Sequence, residues 1–206
     1  FKMKRIIVSL LLAVFSLALF AENAKSEALG GLNTAKSLIE SGQYVKAQEE
    51  LEYVQAKISE ILSEDLLKYI PEAPTGFALK DKKAQSLGQA GAIIGSANSV
   101  SAVGNYTKGD TELSLTIAVG GLPGQAAGLM GLAAMFGGIT DIGTKTIRVK
   151  GYNATLEYDK DDQSGSLTVK VSEKISVIVT GEYLTNEEAM KTLAEKVDFD
   201  LLKKAF

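Results

Sequence analysis

Runs of alternating apolar and polar residues constrain the fold of this chain more than any other feature of its sequence. In the clearest run the apolar positions are Leu113, Leu115, Ile117 and Val119. Because successive side chains of a β-strand point to opposite faces, this spacing predicts a strand with one buried face. The turn residues Lys108-Gly109-Asp110 precede it and a partner run spans residues 100–107, so the pair predicts a β-hairpin.

A second series of alternating runs lies in the last third of the chain. It comprises Ile147 and Val149, Tyr152 to Tyr158, Leu167 to Val171, and Ile175 to Val179. Short turn segments separate these runs, at residues 150–151, 159–165 and 172–174. Strands joined by such short connections pair with their neighbours in sequence, which predicts an antiparallel meander.

Residues 29–67 have the periodicity of α-helix. The longer part carries apolar residues at spacings of four and three, at Ala47, Leu51, Val54, Ile58 and Ile61. A shorter part, residues 29–40, carries Leu32, Ala35 and Ile39 at similar spacing, and Ser41-Gly42 separates the two. We expect a helical hairpin in which these two apolar lines pack against each other.

The C-terminal residues also indicate helix. Thr185 and Glu188 have the spacing of a capping box, and an apolar stripe of Ala189, Leu193 and Val197 follows. Residues 199–206 predict a final short helix. We therefore expect the C-terminus to cover one face of the sheet.

These patterns predict an α+β fold, with an N-terminal helical hairpin followed by an antiparallel sheet of about six to seven strands flanked by helices. Pro71 and Pro74 end the helical region and mark a linker. The predicted division is a signal peptide at residues 1–21, the hairpin at 22–70, the linker at 71–76 and the α+β domain at 77–206.

The first residues have the layout of a secretory signal peptide. Lys2, Lys4 and Arg5 precede an uncharged apolar run, residues 6–20, that ends at the small residue Ala21. The run has about fifteen residues, whereas a helix that spans the hydrocarbon core needs roughly twenty, so a retained membrane anchor is the weaker alternative. We expect an exported, periplasmic or secreted protein that is cleaved after Ala21.

Composition excludes several classes of function. The chain has no Cys and no His, which removes disulfides, thiol nucleophiles, the usual general base and the commonest transition-metal ligands. Its formal net charge of −3 argues against nucleic acid as a main partner. Carboxylate pairs, Ser–Lys dyads and oxygen-ligand metal sites remain as options, but nothing in the sequence places two carboxylates such as Glu157, Asp159 and Asp161 around one cleft. We therefore expect a protein without enzymatic activity and without a cofactor or metal.

A long uncharged segment rich in Gly and Ala lies between the two series of strands. Residues 120–138 would be long enough to cross a membrane, but Pro123 and Gln125 interrupt them, so we expect an apolar helix at residues 125–136. The residues expected to contact a partner or lipid are Leu122, Leu129, Met130, Leu132, Met135 and Phe136.

Two other segments resemble ligand-binding loops only in part. Asp159, Asp161 and Asp162 suggest a calcium loop, but the positions that require Gly and Glu hold Ser164 and Lys170. The glycines of residues 88–95 lack both the order of a dinucleotide-binding loop and the Lys-Ser/Thr ending of a phosphate loop. We expect a solvated hairpin turn in the first case and a loop or a packing segment in the second.

The order of short motifs after the linker resembles a group of uncharacterised bacterial periplasmic proteins whose sheet domain is similar to the PsbP and Mog1 fold. The matching motifs are Ala-Pro-x-Gly-Phe at 73–77, Tyr-Thr-Lys-Gly-Asp at 106–110, Arg-Val-Lys-Gly-Tyr at 148–152, Thr-Gly at 180–181 and Val-Asp-Phe at 197–199. This resemblance covers most of residues 69–206. It implies an antiparallel sheet flanked by helices and an accessory or binding role, and it supplies no catalytic residues.

The sequence therefore predicts an exported envelope protein that binds a protein partner or an apolar ligand through its helical hairpin and its Gly/Ala-rich helix. The alternative is a membrane-associated protein that inserts residues 120–138 into lipid.

Overall fold

The computed structural model describes residues 22–86, 99–120 and 144–206. In these ranges the chain has an α+β fold, in which two N-terminal helices are followed by a seven-stranded antiparallel sheet. This confirms the predicted fold class. The chain divides into two compact units, the first ending at Glu64 and the second formed by Asp65–Phe206, and each is described by itself.

The first unit contains a helical hairpin. Helix α1 covers residues 22–40 and helix α2 covers Tyr44–Leu66, whose last residues belong to the second unit. Between them Gly42 has a φ of 75°, and the N–H of Gln43 donates to the carbonyl of Leu38 at 2.8 Å. This is the hydrogen bond of a Schellman ending, in which glycine adopts the left-handed conformation that other residues disfavour. The predicted break at Ser41-Gly42 is thus confirmed.

The second unit contains the sheet. Its strands are β1 (Ala78–Ser86), β2 (Val100–Lys108), β3 (Thr111–Val119), β4 (Lys145–Val149), β5 (Tyr152–Asp159), β6 (Ser164–Lys170) and β7 (Ile175–Glu182). The spatial order is β1-β2-β3-β7-β6-β5-β4, and each neighbouring pair is antiparallel. The predicted β2–β3 hairpin and β4–β7 meander are both present. The strand β1 and the pairing of β7 with β3 were not predicted.

Two short helices follow the sheet, α3 (Glu188–Glu195) and α4 (Phe199–Ala205). Helix α3 packs on β3, β4, β6 and β7, so the C-terminus covers one face of the sheet as expected. The predicted capping box is wrong. The N-cap of α3 is Glu187, so Glu188 is the first residue of the helix rather than the third. The N–H of Glu188 donates to the side-chain oxygen of Asn186 at 3.0 Å.

Tight packing beside β2 positions the segment that follows α2. After a 3₁₀ turn at Leu67–Tyr69, Ile70 lies so close to β2 that a Cβ built on Gly104 would be 2.6 Å from its Cγ2 atom. Tyr106 is fully buried, and its hydroxyl donates to the carbonyl of Pro71 at 2.7 Å. The absence of a side chain at Gly104 therefore permits this close approach.

The β4–β5 turn holds the C-terminal helix. Lys150 adopts a left-handed φ of 49°, and its ammonium group donates to the carbonyl of Val197 at 2.9 Å. The same group lies 5.5 Å from the centre of the Phe199 ring, which Tyr152 contacts edge-on. The Tyr152 hydroxyl also donates to the carboxylate of Asp200. These contacts anchor the start of α4 to one end of the sheet.

Candidate functional surfaces

Small residues form the contact between α1 and α2. The buried positions of α1 are Ala24, Ala28, Gly31 and Ala35, at spacings of four, three and four, and those of the facing part of α2 include Ala47 and Val54. A Cβ built on Gly31 would be only 2.6 Å from Cγ2 of Val54. Such a seam lets the two helices approach closely, because little side-chain volume lies between their backbones.

This seam differs from the predicted one. Ala35, Ala47 and Val54 are buried as expected. The larger residues assigned to the same lines are exposed instead: Leu32 by 45%, Ile39 by 49%, Leu51 by 39% and Ile58 by 43%. The prediction of these four contacts was wrong because α1 begins at residue 22 and uses its alanines and glycine, rather than its leucines, for packing.

The four exposed residues lie on one side of the hairpin. At about 100° per residue, Leu32 and Ile39 are rotated about 60° from the seam of α1, and Glu27 is rotated a similar amount in the opposite direction. On α2, Leu51 and Ile58 lie to one side of the seam, and Tyr53 and Lys57 lie to the other.

A contact between the helices shows which sides coincide. Glu27 of α1 touches both Tyr53 and Lys57 of α2, at 2.9 and 2.6 Å, so these three residues share one face. The other sides of the two helices therefore also share a face. We call Leu32, Ile39, Leu51 and Ile58 the apolar face of the hairpin.

The opposite, polar face is a charged network. Lys57 contacts Glu27 at 2.6 Å and Glu60 at 3.2 Å, and its ammonium group is 5.7 Å from the centre of the Tyr53 ring. The hydrogen bond from Lys57 is the main cause that lowers the pKa of Glu27 below its usual value, and the bond from Tyr53 adds to it. The pKa of Lys57 is raised, chiefly by its hydrogen bond to Glu27. Glu27, Tyr53, Lys57 and Glu60 thus bind one another within the hairpin.

Charged residues border the apolar face unequally. At about 100° per residue, the positions just outside the apolar face are Lys25 and Lys36 on α1 and Gln48 and Gln55 on α2. The ammonium group of Lys36 lies 3.9 Å from the carboxylate of Glu40. Helix α2 as a whole contains six carboxylates and two lysines. The border of the apolar face is therefore polar on both helices, and α2 is the more acidic of the two.

The sheet has two chemically different faces. The buried positions that alternate along β3 and β7 include Leu115, Ile117, Val177 and Val179. The opposite positions of β3 and β7 include Ser114, Thr116, Ser176 and Thr180 beside the buried Ile178. Polar side chains align across the strands there: Ser114 is paired with Thr180, Thr180 with Ser166, and Ser166 with Glu157. Most of these side chains are half-buried. This second face is therefore the more polar of the two.

The acidic segment after β5 is a turn. The Asp159 carboxylate accepts the backbone N–H groups of Asp161 and Asp162, at 2.8 and 3.1 Å, which is an Asx-type turn. Gln163 closes it with a φ of 52°. Among the described residues, no three metal-ligating side chains lie close enough together to hold a metal ion.

Several predicted features lie outside the described residues. These are the signal peptide at 1–21, the glycine-rich segment at 88–95, the apolar helix at 125–136, and the predicted contact residues Leu122, Leu129, Met130, Leu132, Met135 and Phe136. Among the helices of residues 22–86 and 144–206, none is long and apolar enough to cross a membrane.

The sequence did not predict the apolar face as an exposed surface, because its four residues fit the apolar stripe with which a helix usually packs against its neighbour. A useful signal was present in the repeat Ala24, Ala28, Gly31 and Ala35, which competes with the leucines for the inner side of α1.

Comparison of the chain with protein-family models, curated proteins and solved structures finds no match.

Proposed function

We propose that this chain is an exported, non-enzymatic protein of a bacterial envelope that binds a protein partner through the apolar face of its helical hairpin. The observation that carries the proposal is the exposure of four large aliphatic side chains on one face, between two helices that already pack closely through small residues. Contiguous exposed apolar residues with a polar border are typical of interaction sites.

The apolar face can contribute useful binding energy. Full burial of a Leu or Ile side chain stabilises a complex by about 1.5–3 kcal/mol. Because these four side chains are already a little more than half buried, complete burial on binding would add about 1 kcal/mol each, or about 4 kcal/mol in total. That contribution suits a helix-in-groove contact, in which apolar residues of a partner helix lie between α1 and α2.

The charges of the hairpin favour protein over membrane as the partner. Surface helices that bind anionic lipid carry Lys and Arg on their polar side. Here the polar side of α2 carries Glu49, Glu50 and Glu60. Of its two lysines, Lys57 is bound to two carboxylates and Lys46 donates to the side chain of Gln43.

Export is tested by cell fractionation. The mature protein is expected in the periplasm or the medium, with Glu22 as its N-terminal residue by N-terminal sequencing. Recovery of the uncleaved chain in the cytoplasm would refute this part of the proposal.

Binding is tested by affinity capture from an envelope extract with the tagged protein and two variants. Leu51→Glu places a charge on the apolar face and should abolish capture of the partner. Val45→Glu is the matched control, because Val45 is a 74% exposed apolar residue of the same helix that points away from that face. Identical proteins captured by all three forms would refute the assigned surface.

A further inference from the structure

We infer that the open edge of β1 is a second binding site, which takes an extended, acidic segment of another protein as an added strand. This edge belongs to the second unit, whereas the apolar face of the hairpin belongs to the first, so it does not depend on the proposed function. Three properties of β1 carry the inference: its length, its exposure and its charge.

The two edges of the sheet differ in length. Strands β1 and β4 are at the ends of the strand order, so each has one side on which no described strand pairs. Strand β4 has five residues, whereas β1 has nine and spans about 30 Å. None of the side chains of residues 78–84 is buried, whereas each of the other six described strands has at least one buried side chain. Edge strands are usually short or covered, so a long and exposed edge is a template for a further strand.

Strand β1 is fixed in place as such a template. A register shift interrupts its ladder with β2 between Leu79 and Asp81, but residues 81–86 pair with β2 without interruption. The ammonium group of Lys82 donates to the carbonyl of Leu67 at 3.4 Å, which ties β1 to the 3₁₀ turn after α2. An incoming segment therefore meets six residues in regular extended conformation, with backbone N–H and C=O groups that can pair with its own.

The charge of β1 selects what pairs with it. The strand carries Lys80, Lys82 and Lys83 and a single carboxylate, that of Asp81, in a chain whose formal net charge is −3. Asp81 neutralises Lys83, whose ammonium group is 2.7 Å away. Lys80 and Lys82 form no ion pair with a described carboxylate. The edge therefore keeps two uncompensated positive charges.

These charges favour an acidic strand over another copy of this chain. The other edge, β4, carries Lys145 and Arg148. Pairing of β1 with either edge of a second copy would thus set positive charges against each other. Like charges directly opposite in a ladder are destabilising, whereas opposite charges stabilise the pair, and lysines on an edge strand discourage pairing between copies for this reason. The segment that complements β1 is therefore acidic and belongs to another protein.

Binding of designed peptides tests the inference. The probes are fluorescein-labelled peptides of alternating Thr and Val, with two adjacent glutamates at the centre or, in the control peptide, two lysines. In fluorescence anisotropy with the purified protein, the acidic peptide should bind about tenfold more tightly than the lysine peptide, because pairs of opposite charge replace pairs of like charge. Methylation of the backbone nitrogens of both glutamates should abolish binding, since it removes an N–H group that pairs with β1.

Variants of β1 test the assigned edge. Lys80→Glu and Lys82→Glu should each weaken binding of the acidic peptide, and the double variant should prefer the lysine peptide. Lys160→Glu is the matched control, because it makes the same change of charge at an exposed residue of the turn between β5 and β6. Circular dichroism of each variant shows whether the sheet is retained. Lys80→Glu decides the test if Lys82→Glu disturbs the contact with Leu67.

Hydrogen exchange shows whether the peptide adds to the sheet. Amides of β1 that point away from β2 should exchange quickly in the free protein and slowly when the acidic peptide is bound. The inference is overturned if the acidic peptide does not bind, if it binds no more tightly than the lysine peptide, or if it binds and leaves these amides unprotected. Unchanged binding of the acidic peptide by Lys80→Glu and Lys82→Glu would overturn it as well.

Discussion

The closest contact of the hairpin can be tested with two neighbouring glycines of α1. A Cβ built on Gly31 would meet Cγ2 of Val54 at 2.6 Å and Oε1 of Glu50 at 3.1 Å, whereas a Cβ built on Gly30 would meet nothing within 4 Å. Substitution of either glycine by alanine changes the same helix by one methyl group. Only the substitution at Gly31 adds that methyl group to a closed seam.

The expected energies follow from two opposing effects. In a helix interior alanine is favoured over glycine by about 1 kcal/mol, so Gly30→Ala should stabilise the hairpin by about that amount. Gly31→Ala gains the same helix propensity, but its methyl group overpacks the contact between the helices, which typically destabilises a fold by about 1–3 kcal/mol. The branched side chain of Val54 has few rotamers with which to move aside. We therefore expect the two variants to differ by about 1–3 kcal/mol, with Gly31→Ala the less stable.

Urea unfolding followed by circular dichroism at 222 nm measures both variants, and hydrogen exchange of the α1 and α2 amides assigns the change to the hairpin. In the double variant Gly31→Ala/Val54→Ala the added methyl group has room, so the penalty of Gly31→Ala should shrink when measured in the Val54→Ala background. Equal stability of the Gly30 and Gly31 variants would refute the close approach of the helices.

Three further predictions concern single side chains. Glu27→Gln should lower the free energy of unfolding of the hairpin at pH 7, measured in urea titrations. The ionised Glu27 carboxylate beside Lys57 stabilises the folded state, and this contribution is lost as the pH falls through its lowered pKa. The difference in stability between the two proteins should therefore vanish as the pH falls below 4.5. Tyr106→Phe should lower the free energy of unfolding by about 1 kcal/mol in the same assay, because it removes the hydrogen bond to the carbonyl of Pro71. Burial also raises the pKa of Tyr106, so an absorbance titration at 295 nm should lose one late-titrating phenol in that variant. Asp198→Ala should destabilise α4 by about 1 kcal/mol, measured as faster hydrogen exchange of its amides, since the Asp198 side chain binds the N–H of Leu201; unchanged exchange would contradict the cap.

The parts of the fold that follow from local pattern could be predicted. Alternation and short turns give β2–β3 and β4–β7, since each of these strands pairs with its neighbour in sequence. The strand β1 has no such signal, because its middle is Lys80 to Lys83 and it is an edge strand. The pairing of β3 with β7 depends on which hydrophobic surfaces meet in three dimensions, and no local periodicity contains that information.

The candidate surface was harder to predict than the fold. A helical stripe of Leu and Ile ordinarily faces inward, and here alanine and glycine occupy that position because they allow the helices to come closer. The competition between close approach and burial of larger side chains depends on the position of Val54 against Gly31, and an apolar pattern on one helix does not encode it. Turn chemistry was easier, since Asp159 forms the solvated turn that its neighbours predict.

The strand order also bears on how the protein folds. Two locally connected blocks, β1–β3 and β4–β7, meet at a single ladder that sets Val119 opposite Ile175. Each block can form by short-range pairing, so docking β3 on β7, which joins residues far apart in sequence, is the step that should limit the folding rate.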